Sequence, residues 1–236
     1  GIAYLYFFPG LSTHAGSLGW SQTAQYQDEM RRYDESTKPL FAQYASMDIQ
    51  QVAADAKAKG MGERMYLTYC VQCHGSNGKG SMGFPNLTDK DWLGSGDADY
   101  IVTTILNGRQ AVMPPMAAAV GTAADVENLA NYVLSLSGAA HDSLKAQMGK
   151  PKFGVCAACH GNDGKGNKQI GAPNLADDVW LYGGGLRTIQ HTINEGKQNN
   201  MPAFGSLLGG DNELARAKAK VLAAYVWGLS NDPQAK

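Results

Sequence analysis

The pentapeptides Cys70-Val71-Gln72-Cys73-His74 and Cys156-Ala157-Ala158-Cys159-His160 decide how this chain folds. Both read C-x-x-C-H, the pattern at which a c-type haem is attached to a protein. The two thiols of such a motif form thioether bonds with the haem, and the histidine binds the iron as its proximal ligand. We therefore expect two covalently bound haem c groups per chain, with His74 and His160 on the irons and the haems held by Cys70, Cys73, Cys156 and Cys159.

A C-x-x-C pair also occurs in redox dithiols and in zinc sites. The two motifs contain all four cysteines of the chain, so no further thiol remains for a disulfide or a nucleophile. A zinc site built from both pairs would not require a histidine directly after each second cysteine, and a disulfide framework suits shorter chains that are richer in cysteine. The pair of motifs therefore favours haem over these alternatives.

The composition excludes one class of partner. The chain has 236 residues, which fits one large domain or two small ones, and its net charge is −1 without any basic run. Nucleic acid is bound through positively charged surfaces, so we expect no nucleic acid partner. Charged residues make up 17% of the chain, so electrostatic attraction of a protein partner would have to come from a local patch.

The second half of the chain repeats the first. Matching segments that follow the haem motifs lie 88 residues apart, namely Pro85-Asn86-Leu87 with Pro173-Asn174-Leu175, Trp92 with Trp180, and Met113-Pro114 with Met201-Pro202. A repeat of this length indicates that one structural unit occurs twice. We therefore predict two tandem domains, over residues 60–138 and 139–236.

Each copy has the pattern of a small all-α domain without strands. Apolar residues at helical spacing predict helices near the end of each copy, in its middle and before the first haem motif, over 124–137, 215–229, 99–107, 185–194 and 60–70. In the last of these helices, we expect Met61, Met65 and Leu67 to contact the core.

The chain begins with an apolar segment, Gly1-Ile2-Ala3-Tyr4-Leu5-Tyr6-Phe7-Phe8-Pro9. This segment is shorter than the roughly 20 residues that span a bilayer, but its aromatic cluster is typical of a helix leaving a membrane. We predict that residues 1–10 are the end of a membrane anchor helix, and the alternatives are a buried strand or an exposed apolar end. Residues 11–59 are predicted to be a helical connector that is broken at Lys38-Pro39.

A haem that only carries electrons needs a second axial ligand, and methionine opposite histidine is the ligand set of cytochromes c. Met113 and Met201 occupy equivalent positions of the repeat, whereas Met116 is equivalent to Phe204, which has no ligand atom. We therefore favour Met113 and Met201, with Met116 as the alternative to Met113. Which haem each methionine serves stays open if the domains exchange them. A bis-histidine haem is the competing ligand set, and its candidates are His14, His141 and His191.

Other residues complete the predicted haem sites. A histidine that binds iron usually donates its other ring N–H to a fixed acceptor, and the backbone carbonyls of Pro85 and Pro173 lie a few residues away. The indole N–H groups of Trp92 and Trp180 can donate to haem propionates. Arg109 can neutralise a propionate, with an ordinary surface cation as the alternative.

On these motifs, both halves resemble class I cytochrome c domains from about residue 60 to the C-terminus. The segments 4–11, 18–21, 60–64 and 111–116 extend the similarity to the dihaem subunit of cbb3-type cytochrome c oxidases. The resemblance implies the helical haem-wrapping fold, His–Met irons, and Pro85 and Pro173 carbonyls that support the histidines. It also implies a subunit that transfers electrons and is not an enzyme by itself.

The same resemblance implies partners and a location. Electrons would come from a soluble periplasmic cytochrome c and pass towards a terminal oxidase in aerobic respiration. The implied partners are its catalytic haem–copper subunit and a monohaem cytochrome c subunit, at the bacterial inner membrane with the haem domains in the periplasm. The alternatives are a free periplasmic dihaem electron shuttle and a dihaem peroxidase, which would need one iron open to peroxide.

Overall fold

The computed structural model describes residues 1–9, 15–210 and 212–231, and most of these residues are helical. The helices up to the middle of the first copy are α1 (Ile2–Phe7), α2 (Gln22–Ala45), α3 (Ile49–Ala54), α4 (Ala56–Tyr69), α5 (Val71–His74) and α6 (Ala98–Asn107). After them come strand β1 (Arg109–Met113), α7 (Ala117–Val120), α8 (Ala123–Leu136), α9 (Ser143–Gly149), the 3-10 turn Lys150–Phe153, α10 (Gly154–His160) and α11 (Leu186–Glu195). The remaining elements are strand β2 (Lys197–Met201), α12 (Gly205–Leu208) and α13 (Glu213–Asn231).

The apolar side chains form two separate cores. Core 1 consists of residues from α2 to α6 together with residues from α12 and α13. Core 2 consists only of residues between 116 and 193, from α7 to α11. The packed units therefore differ from the sequence copies 60–138 and 139–236, because core 2 is one continuous segment inserted into core 1.

The terminal helices of the two copies are exchanged between the cores. Helix α13, from the second copy, packs on α4 and α6 of the first copy, and α8, from the first copy, packs on α9 and α11 of the second. The crossings are close because a glycine lies at each one. A Cβ on Gly62 would lie 2.6 Å from Cβ of Tyr225, and Gly149 lies directly against the backbone carbonyl of Asn128.

A short antiparallel ribbon joins the two cores. Strands β1 and β2 pair in the register that places Arg109 opposite Met201 and Met113 opposite Lys197. This ribbon differs from the prediction of a chain without strands. The ribbon forms because the middle helices α6 and α11 end at glycines with positive φ, 68° for Gly108 and 70° for Gly196. The chain then leaves both helices extended, and the two crossing segments satisfy each other's backbone groups.

The segment before the first haem motif belongs to core 1. Phe41, Tyr44, Ile49 and Val52 are all buried there, so the predicted connector 11–59 is more than a spacer. The predicted break at Lys38-Pro39 is wrong, because Pro39 lies inside α2. Proline removes one helical hydrogen bond, but α2 continues through it and buries apolar residues of its last two turns.

The N-terminal apolar segment forms the short helix α1, and most of its large side chains are exposed, including Ile2, Tyr4 and Tyr6. Among the described residues, we find no helix with the length and apolar character that crossing a membrane would take. Residues 10–14, which include the last residue of the predicted anchor and His14, lie outside the described part of the chain.

Candidate haem-binding sites

His74 is held in place by the loop that follows it. The imidazole is buried, and its Nδ1 lies 3.1 Å from the backbone carbonyl of Pro85, so that an N–H at this position donates to the carbonyl. Burial lowers the pKa of His74, and the Pro85 carbonyl opposes this shift only in part. The ring is therefore neutral at pH 7, with Nε2 as the remaining ligand atom.

His160 has the same geometry in the second copy. Its ring is buried, and Nδ1 lies 3.0 Å from the backbone carbonyl of Pro173. Each histidine is followed by a glycine with the same backbone angles, φ 76° and ψ 156°, which side chains with a Cβ rarely adopt. The chain therefore turns away from both histidines in the same way and brings back the proline carbonyl.

The cysteines are placed for attachment of a ligand rather than for thiol chemistry. All four are free thiols in the structure. Burial raises the pKa of Cys70 to about 11 and also raises that of Cys156, so neither is a reactive thiolate at neutral pH. Among the described residues, no three His, Cys, Asp or Glu side chains are grouped as a metal-ion site. The raised pKa values of Cys70 and Cys156 disfavour a redox dithiol, whose attacking cysteine is a thiolate.

The candidate methionines lie at opposite ends of the ribbon. Met113 is at the end of β1 and Met201 at the end of β2. Both are half-buried, and neither belongs to the residues that pack against core 1 or core 2. Met116 instead packs against core 2, as its equivalent Phe204 packs against core 1. Met116 therefore behaves as a core residue.

The other histidines are placed unlike His74 and His160. His141 is exposed, and its Nδ1 lies 2.7 Å from the carbonyl of Ala139 in the same loop. His191 is exposed on α11. Neither has the buried position that both motif histidines share.

Each predicted tryptophan packs in the same core as the first cysteine of its own copy's haem motif. Trp92 packs against core 1 and Trp180 against core 2. Within the described ranges, neither indole N–H has a hydrogen-bond partner, which leaves both as donors for a ligand. Arg109 is exposed at the start of β1, where its guanidinium lies 3.6 Å from the ring centroid of Tyr100. Its Nε donates to the Thr104 hydroxyl at 2.6 Å.

One structural residue of the first site is missing from the sequence predictions. The hydroxyl of Tyr66, in α4, donates to the carbonyl of Gly75 at 2.7 Å, and its ring is fully buried. Burial raises the pKa of this phenol to about 12, so it remains a donor.

The prediction for Leu67 is wrong, because this side chain is 44% exposed, whereas Met61 is buried. The sequence carries no signal that Tyr66, rather than the neighbouring Leu67, is the side chain that faces the core.

These donor sets fit covalent haem. Each motif offers two thiols on one helical turn and one buried imidazole whose orientation is fixed by a carbonyl. Two such sites on helical units of this kind define a protein of the class I cytochrome c type with two domains in one chain.

Comparison with known proteins places the chain within this class. A profile described as "Cytochrome C oxidase, cbb3-type, subunit III" matches residues 58–133 and 142–225. The chain belongs to this family. As a member, it is an electron-transfer cytochrome c subunit of the oxidase and is not catalytic alone.

Individual relatives agree over nearly the whole chain. The "Cbb3-type cytochrome c oxidase subunit CcoP" of Rubrivivax gelatinosus is 49% identical over 231 residues, which cover 97% of this chain and 73% of the relative. The protein of the same name from Cereibacter sphaeroides is 35% identical and covers 91% of this chain and 77% of the relative. The "Cbb3-type cytochrome c oxidase subunit FixP" of Azorhizobium caulinodans is 34% identical, with 91% and 76% covered.

Proposed function

We propose that the chain carries two haem c groups and relays electrons through both of them towards the catalytic centre of a cbb3-type oxidase. One observation supports the count above all others. His74 and His160 are buried to the same extent, each lies beside a proline carbonyl, and each follows two cysteines at the same spacing. The second motif can therefore hold a haem wherever the first can.

The protein groups have separate roles in this proposal. Cys70 and Cys73 would hold one haem and Cys156 and Cys159 the other, while His74 and His160 would each bind an iron. Met113 and Met201 would supply the further ligands. Bound in this way, the haem would supply one-electron redox chemistry, and a methionine ligand would raise its potential.

The surrounding residues hold these ligands still. The Pro85 and Pro173 carbonyls orient the two imidazoles, and this hydrogen bond also makes the iron-binding nitrogen more electron-rich. The indole N–H groups of Trp92 and Trp180 donate to propionates. Arg109, which packs on the ring of Tyr100 at the end of α6, would add a positive charge for a propionate.

Transfer between the haems is supported by contact between their loops. The backbone N–H of Gly83, in the loop after the first haem motif, donates to the carbonyl of Leu181, in the corresponding loop of the second, at 2.8 Å. Tyr182 in turn bonds to Asn199 of β2. The loops that follow the two haem motifs are therefore in direct contact.

The remaining assignments follow from the relatives. Relatives named as subunits of a cbb3-type oxidase support partners within such an oxidase. We propose that these partners are a catalytic haem–copper subunit and a monohaem cytochrome c subunit, with a soluble cytochrome c as donor. We place the protein at the bacterial inner membrane, with the haem domains in the periplasm. The exposed aromatic residues of α1 suit the membrane end of an anchor within residues 1–10.

A redox titration of the purified holoprotein, with a pyridine haemochrome count, tests the proposal. We expect two covalent haems per chain, both low-spin, each with the methionine-to-iron charge-transfer band at the red end of the visible spectrum. A single haem would contradict the dihaem relay. A high-spin haem that binds carbon monoxide after reduction would instead support a peroxidase.

A further inference from the structure

We infer that Tyr182 is a positioning residue for electron transfer between the two haem sites, because its side chain holds the loop after the first haem motif against the ribbon. The inference rests on the proposed relay through two haems and adds the residue that sets how the two sites lie relative to each other. Tyr182 belongs to the second copy, and its equivalent in the first copy is Gly94, which has no side chain.

The repeat predicts how each haem loop should meet the ribbon. Gly83 and Gly171 are equivalent positions in the loops that follow the two haem motifs. Ala111 and Asn199 are equivalent positions in the two strands, and they lie opposite each other at the centre of the ribbon. Gly171 meets its strand directly, since a Cβ there would lie 3.9 Å from Cβ of Ala111. If the two copies had the same structure, Gly83 would meet Asn199 in the same way.

The first haem loop departs from this pattern because a side chain lies between the loop and the strand. A Cβ on Gly83 would lie 3.5 Å from Cε1 of Tyr182, which is ordinary van der Waals contact. The hydroxyl of Tyr182 donates to the side-chain oxygen of Asn199. The ring of Tyr182 therefore spans the distance between the first haem loop and the ribbon.

A backbone hydrogen bond holds the first haem loop at the same place. The N–H of Gly83 donates to the carbonyl of Leu181, the residue before Tyr182, at 2.8 Å. Burial raises the pKa of Tyr182, so its hydroxyl keeps its proton and remains a donor at neutral pH. The contact between the loops therefore has a backbone part and a side-chain part, and both involve Gly83.

Tyr182 also contacts the end of the ribbon that carries Met113. Nζ of Lys197 lies 4.7 Å from the ring centroid of Tyr182, within the range of a cation–π interaction. Lys197 is the partner of Met113 in the ribbon register. One side chain thus contacts the loop after His74, the middle of β2 and the residue opposite a proposed iron ligand.

This placement matters for a relay because electron transfer between two redox groups slows steeply as their separation grows. Without the Tyr182 ring, the first haem loop would keep its backbone bond to Leu181 but lose its support on the ribbon. The loop could then move relative to the second haem site. We therefore expect the loop to open more often and electrons to pass more slowly between the two sites.

Hydrogen exchange of the holoprotein and electron transfer in the complete oxidase test the inference. Tyr182→Ala should speed exchange of the Gly83 amide by about two- to tenfold, the equivalent of one ordinary hydrogen bond. When the reduced oxidase is mixed with oxygen in a stopped-flow instrument, the slower of the two haem oxidations should become slower still. Tyr182→Phe, which keeps the ring, should restore most of the rate. Val179→Ala, the matched control, shortens an exposed side chain of the same loop and should agree with the parent protein in both measurements.

Haem content and redox potentials, measured on the same samples, separate the outcomes. Each variant should keep two haems and the parent potentials, so that slower transfer reports the separation of the sites and not the driving force. Unchanged transfer in Tyr182→Ala would overturn the inference, and with faster exchange it would leave Tyr182 as a packing residue only. Slower transfer that is explained by altered potentials would overturn it as well. If the parent protein held a single haem, or passed electrons from only one, the proposed relay itself would fail.

Discussion

Leucines 129 and 222 offer a direct test of the exchanged packing. Leu222 lies in α13, in the second copy, but is buried in core 1, whereas Leu129 lies in α8, in the first copy, and is buried in core 2. Both are at most 1% exposed. Leu222 stands seven residues before Leu229, which contacts Gly78 in the loop after His74. Leu129 stands seven residues before Leu136, which contacts Gly164 in the loop after His160. We therefore treat Leu222→Ala and Leu129→Ala as a matched pair.

The expected cost follows from what each substitution removes. Truncation to alanine takes three carbon atoms out of a closed core, which loses about 2.4 kcal/mol of transfer free energy at about 0.8 kcal/mol per methylene. The cavity that remains adds to this loss, so that the unfolding free energy of the affected core should fall by about 2 to 5 kcal/mol. Amides that exchange only through opening of that core should then lose at least about thirtyfold in protection.

Hydrogen exchange followed by mass spectrometry resolves which core has loosened. Leu222→Ala should speed exchange in α4 and α6, on the far side of the sequence, and leave α9 and α11 close to the parent protein. Leu129→Ala should do the reverse. Loosening of α9 and α11 by Leu222→Ala would refute the exchanged packing. Equal loosening of both cores by each variant would refute the idea that they open separately.

Four further changes, one with a control variant, test single contacts. Gly62→Ala places a Cβ 2.6 Å from a side-chain carbon of α13 and should lower the unfolding free energy, measured in urea, by about 1 to 3 kcal/mol. Gly60→Ala is the control, because a Cβ there has space in the same helix, and it should leave the unfolding free energy unchanged or raise it. Thr122→Ala removes the N-cap of α8 and should cost about 0.5 to 2 kcal/mol in thermal unfolding. Hydrogen bonds from Thr122 lower the pKa of Asp125 to about 2. The stabilisation from this carboxylate is complete above about pH 4 and should be lost as the pH falls towards 2. Asp125→Asn should flatten that part of the plot of stability against pH. Lys218→Ala removes a buried ammonium 2.7 Å from a carboxylate of α2 and should cost about 1 to 3 kcal/mol, visible as faster amide exchange in α2, whereas unchanged exchange there would show that apolar contacts alone hold that helix.

The helices were within reach of the sequence. The predicted terminal and middle helices, such as 124–137 and 99–107, agree with the observed bounds within about two residues. The reason is that an amphipathic helix shows its buried face in the spacing of its apolar residues, whatever it packs against. The haem motif likewise singled out His74 and His160, and the structure buries both beside an equivalent proline carbonyl.

The partner of each buried face was beyond the sequence. Because the two copies are similar, α13 presents an apolar face that suits either N-terminal helix, and hydrophobic spacing does not distinguish α4 from α9. The ribbon was missed for a related reason. Its second strand, Lys197–Met201, contains mostly polar residues and shows none of the alternation that marks a half-buried strand. It is a strand because two crossing segments meet there.

The connector was underestimated because its apolar residues are few and widely spaced. Phe41 and Tyr44 lie on the last turns of α2, after a long exposed part that contains Pro39. Their burial depends on α13, which lies more than 160 residues further along the chain. A polar segment next to a haem motif therefore looks like a spacer until the helix that covers it has been located.

The chain connections explain why the exchanged arrangement suits this sequence. Only residues 137–142 separate α8 from α9, and consecutive helices joined by a short loop usually pack against each other. In the exchanged fold these two helices do so inside core 2, and the short loop is unstrained. An unexchanged fold would need the same loop to carry the chain from a terminal helix on α4 to a new domain.

The chain instead passes from core 1 into core 2 and back again through the two paired strands of the ribbon. The two ends of the segment that forms core 2 therefore lie side by side, and this is the condition under which one folded unit can be inserted into another. The insertion makes each haem site depend on both halves of the chain, and it holds the two haem loops in contact through Gly83 and Leu181. In the proposed relay, this contact would hold the two loops that follow the haem motifs at a fixed separation.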